Sequence, residues 1–124
     1  MDTLLVVEDD RNLLRLYKAE LETEGYRVLA ARNGLEATEC VALETPDLIV
    51  MDIRMPGKDG LDAMAEILRK HGKIPIILNS AYSSYQDDFL TWAADAYVVK
   101  SGDLEPLKNK IRELLDTRSD SEAS

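Results

Sequence analysis

Several residue types that would define a class of protein are scarce or missing in this sequence. A single cysteine, Cys40, stands among 124 residues, so an intramolecular disulfide is excluded. The longest apolar runs, such as residues 4–7, fall far short of the about 20 residues that a membrane-spanning helix needs. Residues 1–3 lack the basic stretch and cleavage site of a signal peptide. We therefore expect a cytoplasmic protein in which Cys40 is a small buried apolar residue.

Basic residues are also few, with 15 Lys and Arg against 24 Asp and Glu and a formal net charge of −9. A domain this acidic repels nucleic acid and anionic lipid unless it carries a local basic patch. Lysine and arginine cluster at residues 69–70 and 108–110, and acidic residues dilute both clusters. We predict a domain that binds neither nucleic acid nor a membrane directly.

Five short apolar runs alternate with segments of helical spacing along the chain. The runs are nearly continuous and rich in Val, Ile and Leu, which is typical of strands covered on both faces. They occupy residues 4–7, 26–30, 48–51, 74–78 and 96–99. The alternation predicts an α/β fold, a doubly wound parallel sheet with helices on both faces.

The carboxyl ends of the predicted strands carry polar side chains of complementary chemistry. Ligands bind at these ends in a doubly wound sheet. Here the ends offer carboxylates, a hydroxyl and an amine: Glu8, Asp9, Asp10, Asp52, Ser80 and Lys100. Clustered carboxylates repel one another unless a cation neutralises them, and oxygen ligands suit Mg²⁺, which readily shares a phosphate. A carboxylate can also act as a nucleophile and give an aspartyl phosphate. The pattern predicts a Mg²⁺-dependent phosphoacceptor at Asp52.

Four segments together resemble the receiver domain of two-component response regulators. They are VVEDD at 6–10, MDIRMPGKDG at 51–60, SA at 80–81 and YVVK at 97–100. The likeness runs from about residue 3 to residue 115. It implies a flavodoxin-like (CheY-like) sheet of order 2-1-3-4-5 with five helices, the fourth over residues 84–93 short or irregular.

The resemblance also implies a signalling role rather than an enzyme that acts on other substrates. Members take a phosphoryl group from a histidine kinase or a phosphotransfer protein, and lose it slowly when water attacks the acyl phosphate. Phosphorylation changes the face around the fourth helix and the fifth strand, which then binds a partner. That partner is an unknown protein target or an output domain missing from this chain.

Four residues take metal and phosphoacceptor roles by this resemblance. Asp52 matches the phosphorylated aspartate and Asp9 the direct metal ligand. Glu8 matches the acid that reaches the metal through water, and Arg54 supplies a backbone carbonyl. The implied cofactor is Mg²⁺, for which Mn²⁺ can substitute.

Five residues take phosphoryl-contacting, switching or tuning roles by the same resemblance. Ser80 and Lys100 match the hydroxyl and the amine that contact the phosphoryl group. Tyr97 matches an aromatic residue whose ring moves inward, although it is equally readable as core packing. Arg54 and Tyr82 match the positions that tune dephosphorylation, and their bulk predicts a shielded phosphoryl group and slow loss.

Two features depart from the family pattern, and the partner of Asp9 at the metal stays open. Ser101 follows Lys100 where the family usually has proline after a cis peptide, so a trans peptide is also open here. The segment from Ser80 to Lys100 is shorter than expected, which is why we predict an irregular fourth helix. Asp9 could pair with either Glu8 or Asp10 at the metal. We assign Asp10 to capping the first helix.

Two other functions use the same residues. A Mg²⁺-dependent phosphatase also places an aspartate after a strand, but generally needs a second aspartate where Arg54 stands. A degenerate receiver would act purely as a binding module, which the intact acidic set disfavours.

We expect one domain over residues 1–117 and a polar tail over 118–124 that frays or begins a linker. The chain is then a stand-alone regulator or a fragment, and a monomer or a weak homodimer.

Overall fold

The structure, a computed structural model, describes residues 1–53, 60–81 and 94–123, with side chains described up to residue 117. Within these ranges five strands and four helices follow one another along the chain. They are β1 (Thr3–Val7), α1 (Arg11–Thr23), β2 (Arg27–Ala31), α2 (Gly34–Leu43), β3 (Leu48–Met51), α3 (Gly60–His71), β4 (Ile76–Ser80), β5 (Ala96–Val99) and α4 (Glu105–Ala123).

The five strands form one parallel sheet in the order β2-β1-β3-β4-β5. This order confirms the predicted flavodoxin-like fold. The predicted strands at 48–51 and 96–99 have the observed bounds. The helix predicted over residues 84–93 lies outside the described residues.

The predicted strand at 74–78 was wrong at both ends, since β4 covers Ile76–Ser80. Pro75 has no amide hydrogen to donate to a neighbouring strand, and only its carbonyl pairs, accepting from the Ile49 amide at 2.9 Å. The Ile76 amide is the first to donate, to Asp95 Oδ2 at 2.9 Å. The strand then continues through Ser80, so the predicted switch hydroxyl lies on the last residue of the strand.

The sheet separates two apolar cores. Leu5 and Val7 of β1 pack on one face together with α2 and α3, while Leu4 and Val6 pack on the other with α1 and α4. Successive residues of a strand point to opposite faces, so a strand buried on both faces needs a continuous apolar run. Cys40 is half-buried against the first core, and burial raises the pKa of its thiol.

Two of the helices are followed by a glycine of left-handed conformation. Gly25 and Gly72 follow α1 and α3 with φ of 93° and 73°, the left-handed region that glycine adopts without strain. The backbone of α4 stays helical to Ala123, and the domain boundary at residue 117 remains a prediction. Among the described residues, no helix is both long and apolar enough to span a membrane.

Candidate functional site

The parallel register brings the carboxyl ends of four strands to one edge of the sheet. Backbone hydrogen bonds continue the pairing by one residue beyond the strands. The Glu8 amide donates to Ala31 at 3.0 Å, the Asp52 amide to Val7 at 2.9 Å, and the Lys100 amide to Ser80 at 2.7 Å. These bonds therefore fix the backbone of the residues that follow β1, β3 and β5.

Among the described residues, three carboxylates meet at this edge. One oxygen each from Glu8, Asp9 and Asp52 lies within 4.8 Å of the others. Glu8 and Asp52 are almost fully buried, at 2% and 6% exposure, whereas Asp9 is exposed. An all-oxygen set with one side open to solvent is the kind of environment that Mg²⁺ occupies while keeping several waters. The residues present thus fit a divalent cation.

Lys100 places a positive charge beside these carboxylates. Its Nζ lies 2.5 Å from Glu8 Oε1 and 3.4 Å from Asp52 Oδ2. Burial alone would lower the pKa of this amine, but the hydrogen bond to Glu8 and the charges of Asp52 and Glu8 outweigh it, so the pKa is raised. The Lys100–Ser101 peptide is trans, so the lysine reaches both carboxylates without the cis bond typical of the family.

The carboxyl group of Glu8 has a raised pKa. Burial raises its pKa to about 7, and the charge of Asp52 adds to the rise, although hydrogen bonds from Lys100 and from the Asp10 amide oppose it. The ionised form of Glu8 is disfavoured because it is desolvated beside a second carboxylate. A divalent cation would remove this penalty, so the charge balance also fits a metal.

Asp10 points away from the cluster and caps α1. Its Oδ1 accepts hydrogen bonds from the amides of Asn12 and Leu13, at 2.9 and 3.2 Å. Among the described residues, the cluster of carboxylates therefore consists of Glu8, Asp9 and Asp52. Asp10 has the predicted capping role.

The structure describes only some of the other predicted site residues. Ser80 is buried at the end of β4. Tyr97 is half-buried on β5 and packs against the core shared with α2 and α3, which agrees with a packing role and leaves its motion a prediction. Arg54 and Tyr82 lie outside the described residues.

Gly60 has a role in the site that the sequence did not reveal. It begins α3, and its amide donates to Ile53 at 2.8 Å. A Cβ at this position would overlap the carbonyl oxygen of Asp52 and lie 2.8 Å from Cα of Ile53. Gly60 therefore lets the backbone of Asp52 pack directly against the start of α3. The motif at 51–60 was the available signal, but only the tertiary contact explains why it ends in glycine.

Gly60→Ala is expected to destabilise the protein by roughly 3 kcal/mol, since the clash is with backbone that cannot rotate away. The displacement of Asp52 should also weaken Mg²⁺ binding. Gly102→Ala is the matched control, because nothing lies within 4 Å of a Cβ there. Urea denaturation of both variants measures the effect, and equal unfolding free energies would contradict this role of Gly60.

The fold and the strand-end cluster together are those of a receiver domain. The chain belongs to this family, since residues 4–112 match the response regulator receiver domain. Among similar proteins, the probable transcriptional regulator ycf27 of Cyanophora paradoxa is 40% identical over 114 residues, covering 90% of this chain and 47% of that protein. Response regulator ArlR of Staphylococcus saprophyticus is 38% identical over 117 residues, covering 93% and 53%. The chain spans about half the length of these curated relatives.

Solved structures of similar chains agree with this assignment. Response regulator TrrA of Thermotoga maritima, crystallised with Mg²⁺ and BeF, is 45% identical with a TM-score of 0.89, covering 92% of this chain and 99% of TrrA. TrrA in complex with the histidine kinase ThkA gives a TM-score of 0.87 at 45% identity, covering 93% and 99%. A CheY-like receiver domain from Methanospirillum hungatei JF-1 is 28% identical with a TM-score of 0.91, covering 98% of both chains.

Proposed function

We propose that the chain is a Mg²⁺-dependent phosphoacceptor switch whose acceptor is the carboxylate of Asp52. The observation that carries the proposal is the cluster of Glu8, Asp9 and Asp52 within 4.8 Å, with the amine of Lys100 beside it. No catalytic role toward a second substrate is needed. The domain modifies itself, and its output is a change of binding surface.

The metal would be held directly by Asp9 and Asp52, by Glu8 through water, and by the backbone carbonyl of Arg54. When bound, Mg²⁺ (or Mn²⁺) neutralises negative charge on the phosphoryl oxygens. Lys100, already 3.4 Å from Asp52, supplies a second positive charge to the same oxygens. The burial of Asp52 keeps these charges effective, because they act in a region of low dielectric constant.

The transfer uses the ionised form of Asp52, so no general base is required. A carboxylate oxygen of Asp52 forms a bond to phosphorus, and the bond from phosphorus to the donor's leaving group breaks with its electron pair. Hydrolysis by water later returns the free carboxylate and inorganic phosphate. Arg54 and Tyr82 are proposed to shield the phosphoryl group and slow this loss.

The switch is proposed to involve Ser80 and Tyr97. The Ser80 hydroxyl would bind the phosphoryl group, and the ring of Tyr97 would move inward as the hydroxyl moves. The two residues lie on adjacent paired strands, β4 and β5. Their rearrangement would alter the face around β5 and the segment before it, and bias the domain toward partner binding.

The proposed donor is a histidine kinase or a phosphotransfer protein, in the cytoplasm. The complex of the 45% identical TrrA with histidine kinase ThkA supports this assignment. The downstream partner is a protein target or an output domain carried elsewhere in a longer chain, and we propose a monomer or a weak homodimer.

Incubation of the purified chain with Mg²⁺ and acetyl phosphate tests the proposal. Intact-mass analysis is expected to show one added phosphoryl group, and peptide mapping should locate it on Asp52. Chelation of the metal with EDTA should prevent the addition. Labelling that is independent of metal, or labelling at another residue, would contradict the proposal. Turnover of a simple phosphomonoester would instead indicate a phosphatase.

A further inference from the structure

A buried polar pair, Tyr17 and Asn79, joins the first helix to the fourth strand. Each residue is only 3% exposed, and the hydroxyl group of Tyr17 is hydrogen-bonded to the side-chain amide of Asn79. The bond lies in the core that α1 and α4 share, where the ring of Tyr17 packs against apolar side chains. The pair therefore links α1 to the strand that ends at Ser80.

The register of the sheet places Asn79 beside Asp52. Val50 of β3 is paired with Ile77 of β4, and both side chains pack in the core that contains Tyr17. Asp52 and Asn79 stand two residues further along these strands, and residues two apart in a strand share a face. Neighbouring strands lie about 4.8 Å apart. Asn79 therefore borders the Asp52 carboxylate on the β4 side.

The hydroxyl group of Tyr17 lies within reach of the charges of the acidic site. Burial raises its pKa, and the charges of Glu8 and Asp52 add to the rise, although the hydrogen bond with Asn79 and the charge of Lys100 oppose it. The hydroxyl group thus stays protonated and serves Asn79 as a neutral partner. It holds the amide without adding another charge to the cluster.

Stability alone does not explain a polar pair at this place. The same face of the neighbouring strands is filled by apolar side chains, Leu4 and Val6 on β1 and Leu48 and Val50 on β3. Replacing both partners of a buried hydrogen bond by apolar groups of similar shape is nearly neutral or stabilising. Asparagine is also depleted in strands. A role in the adjacent site is therefore the better explanation of the pair.

We propose that Tyr17 and Asn79 are positioning residues that keep the Asp52 carboxylate aligned for phosphoryl transfer, an inference that rests on the proposed function. The hydroxyl group of Tyr17 fixes the amide of Asn79. The fixed amide then restrains Asp52 from the β4 side, while Glu8 lies on the β1 side. Neighbours that orient a metal-binding carboxylate keep it in the geometry that the metal and the incoming phosphorus require.

Two variants separate positioning from stability: Tyr17→Phe and the double variant Tyr17→Phe, Asn79→Leu. The single variant leaves a buried amide without its partner, so it should unfold at a lower urea concentration in EDTA. The double variant has an apolar pair and should unfold at a urea concentration no lower than that of the unmodified chain. With saturating Mg²⁺ and acetyl phosphate, both should be labelled at Asp52 about tenfold more slowly than the unmodified chain.

Tyr26→Phe is the matched control for the loss of a phenolic hydroxyl group. Tyr26 is half-buried against the same core, but it precedes β2 and so lies at the end of the sheet away from the site. This variant should be labelled at the rate of the unmodified chain.

NMR of the metal-free chain tests the contact without phosphorylation. The side-chain amide signals of Asn79 should shift in Asp52→Asn, because the neighbouring charge is removed. They should stay in place in Asp47→Asn, which changes a carboxylate at the other end of the sheet.

Three results would overturn the positioning role: labelling of the double variant at the unmodified rate, an equal slowing in Tyr26→Phe, or Asn79 signals that ignore Asp52→Asn. The first of these would mean that the pair serves stability alone. Failure of the proposed function is distinct from all three, since it would appear as absence of labelling in the unmodified chain.

Discussion

Asp52→Asn is expected to abolish phosphoryl acceptance and at the same time to raise the free energy of unfolding of the metal-free protein by about 1 kcal/mol. The amide is a poor nucleophile, so no acyl phosphate forms. The gain in stability follows because Glu8 and Asp52 are both buried and share one lysine, at 2.5 and 3.4 Å. Removal of one charge leaves Glu8 and Lys100 as a matched pair.

Loss of labelling together with a gain in stability distinguishes a functional carboxylate from a structural one. Asp47→Asn is the control, since Asp47 Oδ2 accepts the Thr3 amide at 2.7 Å at the other end of the sheet. Loss of the Asp47 carboxylate should lower stability without affecting labelling by acetyl phosphate. Intact-mass analysis and thermal unfolding in EDTA measure both quantities. An Asp52→Asn protein that is still labelled at position 52, or that is less stable than the unmodified chain, would be inconsistent with the site described here.

Lys100→Ala is expected to slow phosphorylation by acetyl phosphate about 100-fold, because one of the two positive charges proposed to act on the phosphoryl oxygens is lost. It should also destabilise the metal-free protein by about 3 kcal/mol. The reason is that the buried carboxylates of Glu8 and Asp52 then both lose the positive charge of Lys100. The rate of mass gain and urea denaturation in EDTA provide the two measurements.

Lys110→Ala is the matched control for this variant. Lys110 pairs with Glu113 at 3.0 Å on an exposed surface of α4, where ion pairs contribute little. It should change neither the rate nor the stability noticeably. If Lys100→Ala behaved like Lys110→Ala in both assays, the lysine would have no part in the chemistry of the site.

The sequence could bring these residues together because each of them stands at the end of a predicted strand. A parallel sheet places all carboxyl ends along one edge, so Glu8, Asp9, Asp52 and Lys100 needed only the correct order of strands to meet. The choice between Glu8 and Asp10 as the partner of Asp9 required the structure. All three carboxylates follow β1, and only the hydrogen bonds of the helix cap show that Asp10 turns away.

Features that depend on tertiary contacts were not predicted from the sequence. The overlap that makes Gly60 necessary involves the backbone of Asp52, which is distant from the helix start by several residues of chain. Arg11 and Arg15 of α1 line one cleft together with Arg32, which follows β2, so a search for runs of basic residues found only residues 69–70 and 108–110. Charge patterns along a chain do not report such clusters.

The most direct measurement is a calorimetric titration with Mg²⁺ of three proteins: the unmodified chain, Asp9→Asn and Asp10→Asn. Asparagine still caps a helix, so the second variant keeps α1 intact while removing a neighbouring charge. One saturable Mg²⁺ site is expected in the unmodified chain, with affinity at least about tenfold lower in Asp9→Asn and nearly unchanged in Asp10→Asn. Absence of a saturable site, or equal weakening by both substitutions, would contradict a metal shared by Glu8, Asp9 and Asp52.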